Sequence, residues 1–425
     1  MDTYVRDKAV SWIADMYDSD LSKYLLQLIQ CLKYENHYNS RLQAFLIKRV
    51  LRNPYQIGHY LFWALKSEFH GLKHCERFGV IMEEYHPNTI KPTLECEKII
   101  VDRCRFMDSA KVPLWLELKN SDPFAKAITV LFKSGDDLRQ DMLTIQILEI
   151  MLQHKIDLHL KPYRVLSTGV NANNESVGML EIVLPSVTVK DINKTYGTFA
   201  KESIDMYIVK HNPGTDDLIK ARENFTCSCA GYCVATGVLG IGDRHPSNVL
   251  VTDRGHFFYI NFGHFLVPLL FNPAMKYYID QASKYDNFLD CVAEAFLVLR
   301  QESRLLLVLF TLTVPASMLE LMHEKDIDYF KNMLLLDSDR DGATEGIHAF
   351  VAAGRRDVRR LFDHWFHQQD VEIIVKKKQQ NDKINYNWAK KQNTLEASVK
   401  YLQLNVFDFT PSLLAPHNHY FSIVR

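Results

Sequence analysis

Apolar residues recur at three- and four-residue steps through the first part of the chain, and that spacing predicts helices over residues 5–70. Leu21, Tyr24, Leu25, Leu28 and Leu32 form one stripe, and Leu42, Phe45, Leu46 and Val50 form a second. Asp18 and Ser19 stand where an N-cap belongs, and Asn53-Pro54 closes one helix before another begins at Gln56. Helix pairs joined by short turns predict a stacked, solenoid-like array without a regular repeat. Residues 71–105 break at His86-Pro-Asn and Lys91-Pro, which marks a linker. From about residue 106 the texture becomes strand and turn. Trp115-Leu-Glu-Leu alternates, and Ile128-Thr-Val-Leu-Phe132 is a β-rich run ending at Lys133. Ser134-Gly-Asp-Asp then turns into a helix from Leu138 to Leu152, striped by Leu138, Met142, Ile145, Leu148 and Leu152. Residues 163–184 hold two more strands around Asn171-Ala-Asn-Asn, and after 190 the chain is helical apart from one hairpin. Strands first and helices second is an α+β layout.

A length of 425 residues admits two or three domains with real cores. The formal net charge of −1 argues against a nucleic-acid binder. No apolar run reaches 18 residues; the best candidate, Leu305 to Val314, stops at Pro315 and reads as a buried helix rather than a transmembrane segment. Met1-Asp-Thr-Tyr-Val-Arg lacks the order of a signal peptide, so the expectation is a cytoplasmic chain. Of eight cysteines only Cys227, Cys229 and Cys233 cluster, at a spacing that does not converge on a helix. They read as core residues in a reducing compartment.

The hairpin carries the chemistry. Asp243, Arg244, His245 and Asn248 form a polar loop before the apolar strand Asn248-Val-Leu-Val251. A turn at Asp253-Arg-Gly255 returns the chain through Phe257-Phe-Tyr-Ile260, which delivers Asn261-Phe-Gly to the same edge. Phosphoryl transfer asks for this arrangement, with a loop for the attacking hydroxyl at one end and a metal-holding residue at the other. Protein kinases use His-Arg-Asp…Asn and Asp-Phe-Gly; here the triplet is reversed to Asp-Arg-His. The reversed order resembles phosphoinositide 3-kinases. Val130-Leu-Phe-Lys-Ser-Gly-Asp-Asp-Leu-Arg-Gln-Asp-Met-Leu143 is similar to the ATP-lysine block of class I members. Asp108 to Trp115 resembles their phosphate-binding loop, and Ser228 to Thr236 the helix before their catalytic loop. Leu25 to Tyr34 and Ile57 to His70 resemble the end of their helical domain.

The resemblance implies a bilobal, protein-kinase-like lipid kinase domain behind a truncated helical (PIK) domain. On that basis residues 1–75 are helical domain, 76–105 linker, 106–184 N-lobe, 185–369 C-lobe, and 370–425 a tail without a role. The implied reaction moves the ATP γ-phosphate to the 3-hydroxyl of an inositol phospholipid, with ATP and magnesium as cofactors. Lys133 would neutralise ATP phosphates, with Ser109 and Lys111 in the phosphate loop. Glu181-Ile-Val183 resembles the hinge for adenine, and Leu131, Leu250 and Ile260 would sandwich the base. Asp141 and Tyr163 match polar residues at the back of the pocket. Asp243, His245 and His264 are the candidates for the proton and the developing charge, and Asn248 and Asn261 for magnesium. The implied partners are an inositol lipid at a membrane surface, reached by peripheral recruitment, and a regulatory adaptor subunit.

Two positions depart from the family pattern. Asn261 stands where the family has Asp, which removes a charge from the metal site. After Gly263-His-Phe-Leu266 a long basic loop is replaced by the apolar Val267-Pro-Leu-Leu-Phe-Asn-Pro-Ala-Met, leaving Lys276 and Lys284. The alternatives are therefore an impaired isoform acting as a nucleotide-binding or protein-interaction module, and, more distantly, a related serine/threonine protein kinase.

Overall fold

The computed structural model describes residues 3–36, 39–69, 74–84, 96–107, 112–154, 156–170, 175–197, 201–241, 246–262, 273–280, 284–318, 321 and 326–356. They fall into two compact units, one holding Met1–Leu138 and Val165–Ile182, the other Arg139–Arg164 and Val183–Val375.

The first unit opens with helices α1 (Thr3–Ile13), α2 (Asp18–Leu21), α3 (Leu25–Leu32), α4 (Arg41–Arg52), α5 (His59–Ser67) and α6 (Cys75–Glu84). The predicted stripes meet in one core, where Leu21, Leu32, Leu46, Val50, Leu61 and Phe78 are buried. α4 starts at Ser40, whose side chain accepts from the Gln43 N–H, and Asn53 caps its end while accepting from the Gln56 N–H. Asp18 is not the cap predicted for α2; Tyr17 holds that place. The Asp18 carboxylate instead accepts from Arg49 at 2.7 Å and Asn53 at 3.0 Å, tying α2 to the end of α4. A buried Glu68 accepts from Gln30 and pairs with Lys33 at 2.7 Å, so its charge is matched inside the helical core.

Strands β1 (Cys96–Ile99), β2 (Arg105–Phe106), β3 (Leu114–Asn120), β4 (Ile128–Ser134), β5 (Val165–Val170) and β6 (Ser176–Glu181) complete this unit. They pair antiparallel in the order β1-β3-β4-β6-β5, with β2 also on β3. Leu116, Leu118 and Val130 line one face, and Phe62 and Trp63 of α5 pack against them, so helices and sheet share a core. The stretch that reads as a linker thus holds α6, β1 and β2, with Phe78 and Ile81 buried.

The second unit begins with α7 (Arg139–Leu152). It continues with β7 (Ser186–Thr188), α8 (Val189–Tyr196), α9 (Ser203–His211), α10 (Thr215–Leu239), β8 (Val249–Thr252), β9 (Phe257–Tyr259) and α11 (Pro273–Asp280). It closes with α12 (Lys284–Gln301), α13 (Ser303–Thr313), α14 (Asp326–Met333) and α15 (Arg340–Arg356). Strands β7, β8 and β9 form a small antiparallel sheet in that order. The last three turns of α10 are buried on every side, which is why their small and apolar residues show no amphipathic period. α10 ends at Gly240, left-handed at φ 64°, with the Ile241 N–H returning to the Thr236 carbonyl at 2.8 Å.

Candidate functional site

The β8–β9 hairpin brings two of the predicted residues together. Val249 pairs with Tyr259, and one step beyond it the Ile260 N–H donates to the Asn248 carbonyl at 3.0 Å. Asn248 and Asn261 therefore leave the same end of the hairpin. Asn248 is buried at 5 % exposure and Asn261 is half-buried. Asn261 lies at φ +66°, in the left-handed region. Asn and Asp enter that region far more readily than other residues with a Cβ. The backbone here thus accepts either one, and they differ at this position in charge and in one acceptor oxygen.

Phe262 anchors the chain immediately after Asn261. Its ring is fully buried and stacks on Tyr163, with centroids 6.2 Å apart and planes 11° from parallel. Its N–H donates to Asp141 Oδ1 on α7 at 3.2 Å. α7 is itself anchored by Arg139, whose guanidinium donates to the Ala316 carbonyl at 3.0 Å. Asp141 is thereby placed against the Phe262 backbone and Tyr163 against the Phe262 ring.

The other end of the hairpin is clamped to helices. Asn212 donates to the Asp253 carbonyl and Asn224 to the Arg254 carbonyl, each at 2.8 Å. Ser228 Oγ accepts from the Phe257 N–H at 2.8 Å. Gly255, at φ +82°, lies so close to α10 that an added Cβ would sit 2.0 Å from the Ala221 carbonyl oxygen. Ser228 belongs to the block that resembles the helix before a catalytic loop, and this contact gives that block a task. Sequence alone does not single out Asn212 or Asn224, and it reads Gly255 as part of the Asp-Arg-Gly turn but not as a contact with a helix.

In the first unit, Lys133 closes β4 at 4 % exposure, and its ammonium pairs with Asp136 Oδ2 at 3.4 Å. Asp136 is a further residue that sequence reasoning passes over, although it lies within the quoted block. Across the ladder, Lys133 faces Gly178, where a Cβ would meet the Leu166 carbonyl oxygen at 2.5 Å and Leu138 Cδ1 at 2.6 Å. Only glycine lets β5 and β6 close here. Leu131 is half-buried on β4. Glu181 ends β6 as an exposed residue, and the Ile182 N–H donates to the Thr129 carbonyl at 3.4 Å. The chain passes between the two units at Ile182–Val183, inside the stretch that resembles a hinge. The Val183 carbonyl accepts from Ser186 Oγ. Leu250 and Ile260 in the second unit keep partly exposed apolar side chains, whereas their neighbours Val249, Val251 and Tyr259 are buried.

Ser109, Lys111, Asp243, His245 and His264 lie outside the described residues, as does the apolar stretch 263–272. Among the described residues, no three His, Cys, Asp or Glu side chains gather as a metal cluster. The oxygens of Asn248 and Asn261 are the hard donors that magnesium takes, but neither is charged. They fit a magnesium whose remaining ligands are phosphate oxygens and water, and they fit it less well than a carboxylate would. No helix among the described residues is long and apolar enough to cross a membrane.

Comparison with known proteins adds a second line. Residues 127–322 match the family described as phosphatidylinositol 3- and 4-kinase, and residues 1–97 match the phosphoinositide 3-kinase family accessory domain, the PIK domain. Phosphatidylinositol 3-kinase 2 of Dictyostelium discoideum is 35% identical over 421 aligned positions, covering 81% of this chain and 22% of its own length. Phosphatidylinositol 3-kinase 1 of the same organism is 32% identical, covering 85% of this chain and 28% of itself. The phosphatidylinositol 4-phosphate 3-kinase C2 domain-containing subunit alpha of Pongo abelii is 29% identical, covering 100% of this chain and 29% of itself. The chain spans under a third of the length of these relatives.

Proposed function

Since this chain belongs to the phosphoinositide 3-kinase family, we propose that it transfers the γ-phosphoryl group of ATP to the 3-hydroxyl of an inositol phospholipid, slowly, with Asn261 setting the rate. The observation that carries this reading is the hairpin end at which Asn248 and Asn261 emerge together, with Phe262 pinned behind them.

Lys133 neutralises phosphate charge as a compact cation, and Asp136 holds its ammonium in place before the nucleotide arrives. Ser109 and Lys111 assist at the phosphates, and the backbone at Glu181 to Val183 takes the adenine edge. Leu131, Leu250 and Ile260 each offer apolar surface to the base. Asp141 and Tyr163 line the back of the nucleotide pocket, where they also keep Phe262 in position. Asn248 and Asn261 would hold magnesium, which when bound draws off negative charge from the phosphate oxygens. Asp243 orients the lipid hydroxyl, and His245 and His264 receive its proton or stabilise the charge that develops; a histidine titrates near working pH. An amide at 261 leaves that charge less well balanced, and losing one aimed electrostatic group in an active site costs about 10²–10³ in rate. We assign the chain to the cytoplasm, with peripheral recruitment to its lipid and a regulatory adaptor subunit as partner.

A second reading, a nucleotide-binding module without turnover, rests on Asn261. One assay separates the two. Labelled ATP is incubated with phosphatidylinositol vesicles, and the position of the new phosphate on the inositol ring is determined. Label at the 3-position that disappears in Lys133→Met supports the kinase. ATP-dependent thermal stabilisation with no labelled lipid, even at high protein concentration, supports the binding module.

A further inference from the structure

Cys227 on α10 and Cys291 on α12 face one another with their sulfurs 3.5 Å apart, although 64 positions separate them in the chain. Each is half-buried, so a small oxidant reaches them, while Cys229 and Cys233 on the same helix are sealed in the core. We infer that Cys227 and Cys291 form a thiol pair that hydrogen peroxide, or another hydroperoxide, converts to a disulfide joining α10 to α12.

The geometry favours this pair over the other cysteines. A disulfide closes at about 2.05 Å between sulfurs and needs Cβ atoms near 3.8 Å, so two thiols already in contact require only a small side-chain adjustment. The pair is also asymmetric. A hydrogen bond joins the two thiols, and it holds the Cys291 thiol below its ordinary pKa while raising that of Cys227. The charges of Glu223 and Asp157 act on Cys227, and those of Glu223, Asp290 and Glu294 on Cys291; these carboxylates oppose ionisation. Cys291 is therefore the first sulfur to react, and Cys227 the resolving one.

The chemistry balances without any further reactant. The Cys291 thiolate attacks one peroxide oxygen, the O–O bond breaks, and hydroxide leaves and takes up the thiol proton as water. The resulting sulfenic acid is attacked by the Cys227 sulfur. The S–O bond breaks, the S–S bond forms, and the departing hydroxyl carries the Cys227 proton away as a second water. Two electrons pass from the two sulfurs to one peroxide. Cys227 immediately precedes Ser228, whose hydroxyl holds the Phe257 N–H of the hairpin, so the cross-link fastens the helix that supports β9.

Peroxide titration of the full 425-residue chain tests this, followed by quenching of free thiols and peptide mapping. The expected result is a linked peptide pair containing Cys227 and Cys291, with the mass of two hydrogens lost and restored by dithiothreitol. Oxidised protein should melt about 5 °C or more above the reduced form, because a long loop is closed in the unfolded chain. Cys227→Ala should accumulate a trappable sulfenic acid at Cys291, and Cys291→Ala should show neither species, with circular dichroism checking that both variants fold. Wild-type protein in which these two cysteines stay reduced, or pass to sulfinic acid without the linked peptide, would overturn the inference.

Discussion

Asp141 and Phe262 lie 121 positions apart, yet the Phe262 N–H donates to the Asp141 carboxylate at 3.2 Å. The bond is made by the residue directly after Asn261, which itself lies at φ +66°. Asp141→Ala leaves a buried N–H without its acceptor, at a cost of about 1–3 kcal/mol. The variant should melt lower and lose turnover more than ATP affinity, whereas Asp141→Asn, which keeps an oxygen, should retain most of both. Thermal melting and steady-state kinetics of the two variants check this. An Ala variant with wild-type melting and turnover would remove Asp141 from the site.

Gly255 is the point where the hairpin turn touches α10. A methyl there meets the Ala221 carbonyl oxygen at 2.0 Å, and φ +82° disfavours any Cβ in addition. Backbone contacts yield less than side chains, so Gly255→Ala should destabilise the second unit by more than about 2 kcal/mol. Denaturant unfolding measures it; a loss under half that size would mean the turn is free to move.

Local pattern and distant partner divide the readable residues from the unreadable ones. Leu42, Leu46 and Val50 are buried as their spacing requires, because helical periodicity reports burial directly. The hairpin is legible from its turn and its two short apolar runs. Asp18 is not, since its carboxylate serves Arg49 and Asn53, and no local pattern shows which distant helix a side chain will meet. Cys227 reads with Cys229 and Cys233 as core, but its orientation depends on α12, which brings Cys291 beside it. Asp136 stands inside a recognisable block, and only the folded turn shows that it pairs with Lys133. α6 escapes the sequence because one short helix flanked by polar breaks looks like a linker.

Acid should weaken the protein at two histidines. His59, at 2 % exposure, is lowered to about 4 by burial. His256 is also lowered to about 4, first by burial and then by the nearby Lys161, His159 and Arg254. Both are neutral in the fold, and their ordinary value is 6.5. The unfolded chain therefore takes up these protons first, and stability present above pH 6.5 is lost as pH falls toward 4. Melting temperature followed across that window should decline, and His59→Gln should shallow the decline. A wild-type slope that is unchanged in His59→Gln would contradict the assignment.

Membrane attraction should be weak and nearly independent of salt. The net charge is −1, and Lys276 and Lys284 are the lysines left where a basic loop would stand. Each lysine near an anionic surface contributes only about 1 kcal/mol, within a Debye length of about 8 Å. Co-sedimentation with anionic vesicles across a salt series should show little bound protein; tight binding that salt releases would reveal a basic surface elsewhere.

The most direct measurement compares the wild-type chain with Asn261→Asp in lipid phosphorylation at saturating ATP and magnesium. Asp tolerates the left-handed backbone at this position as Asn does, so the substitution adds charge with little structural cost. Restoring the carboxylate should raise kcat by about 10²-fold or more. ATP binding measured without magnesium should stay the same. Equal and robust rates for the two proteins would show that the missing charge does not limit the proposed reaction.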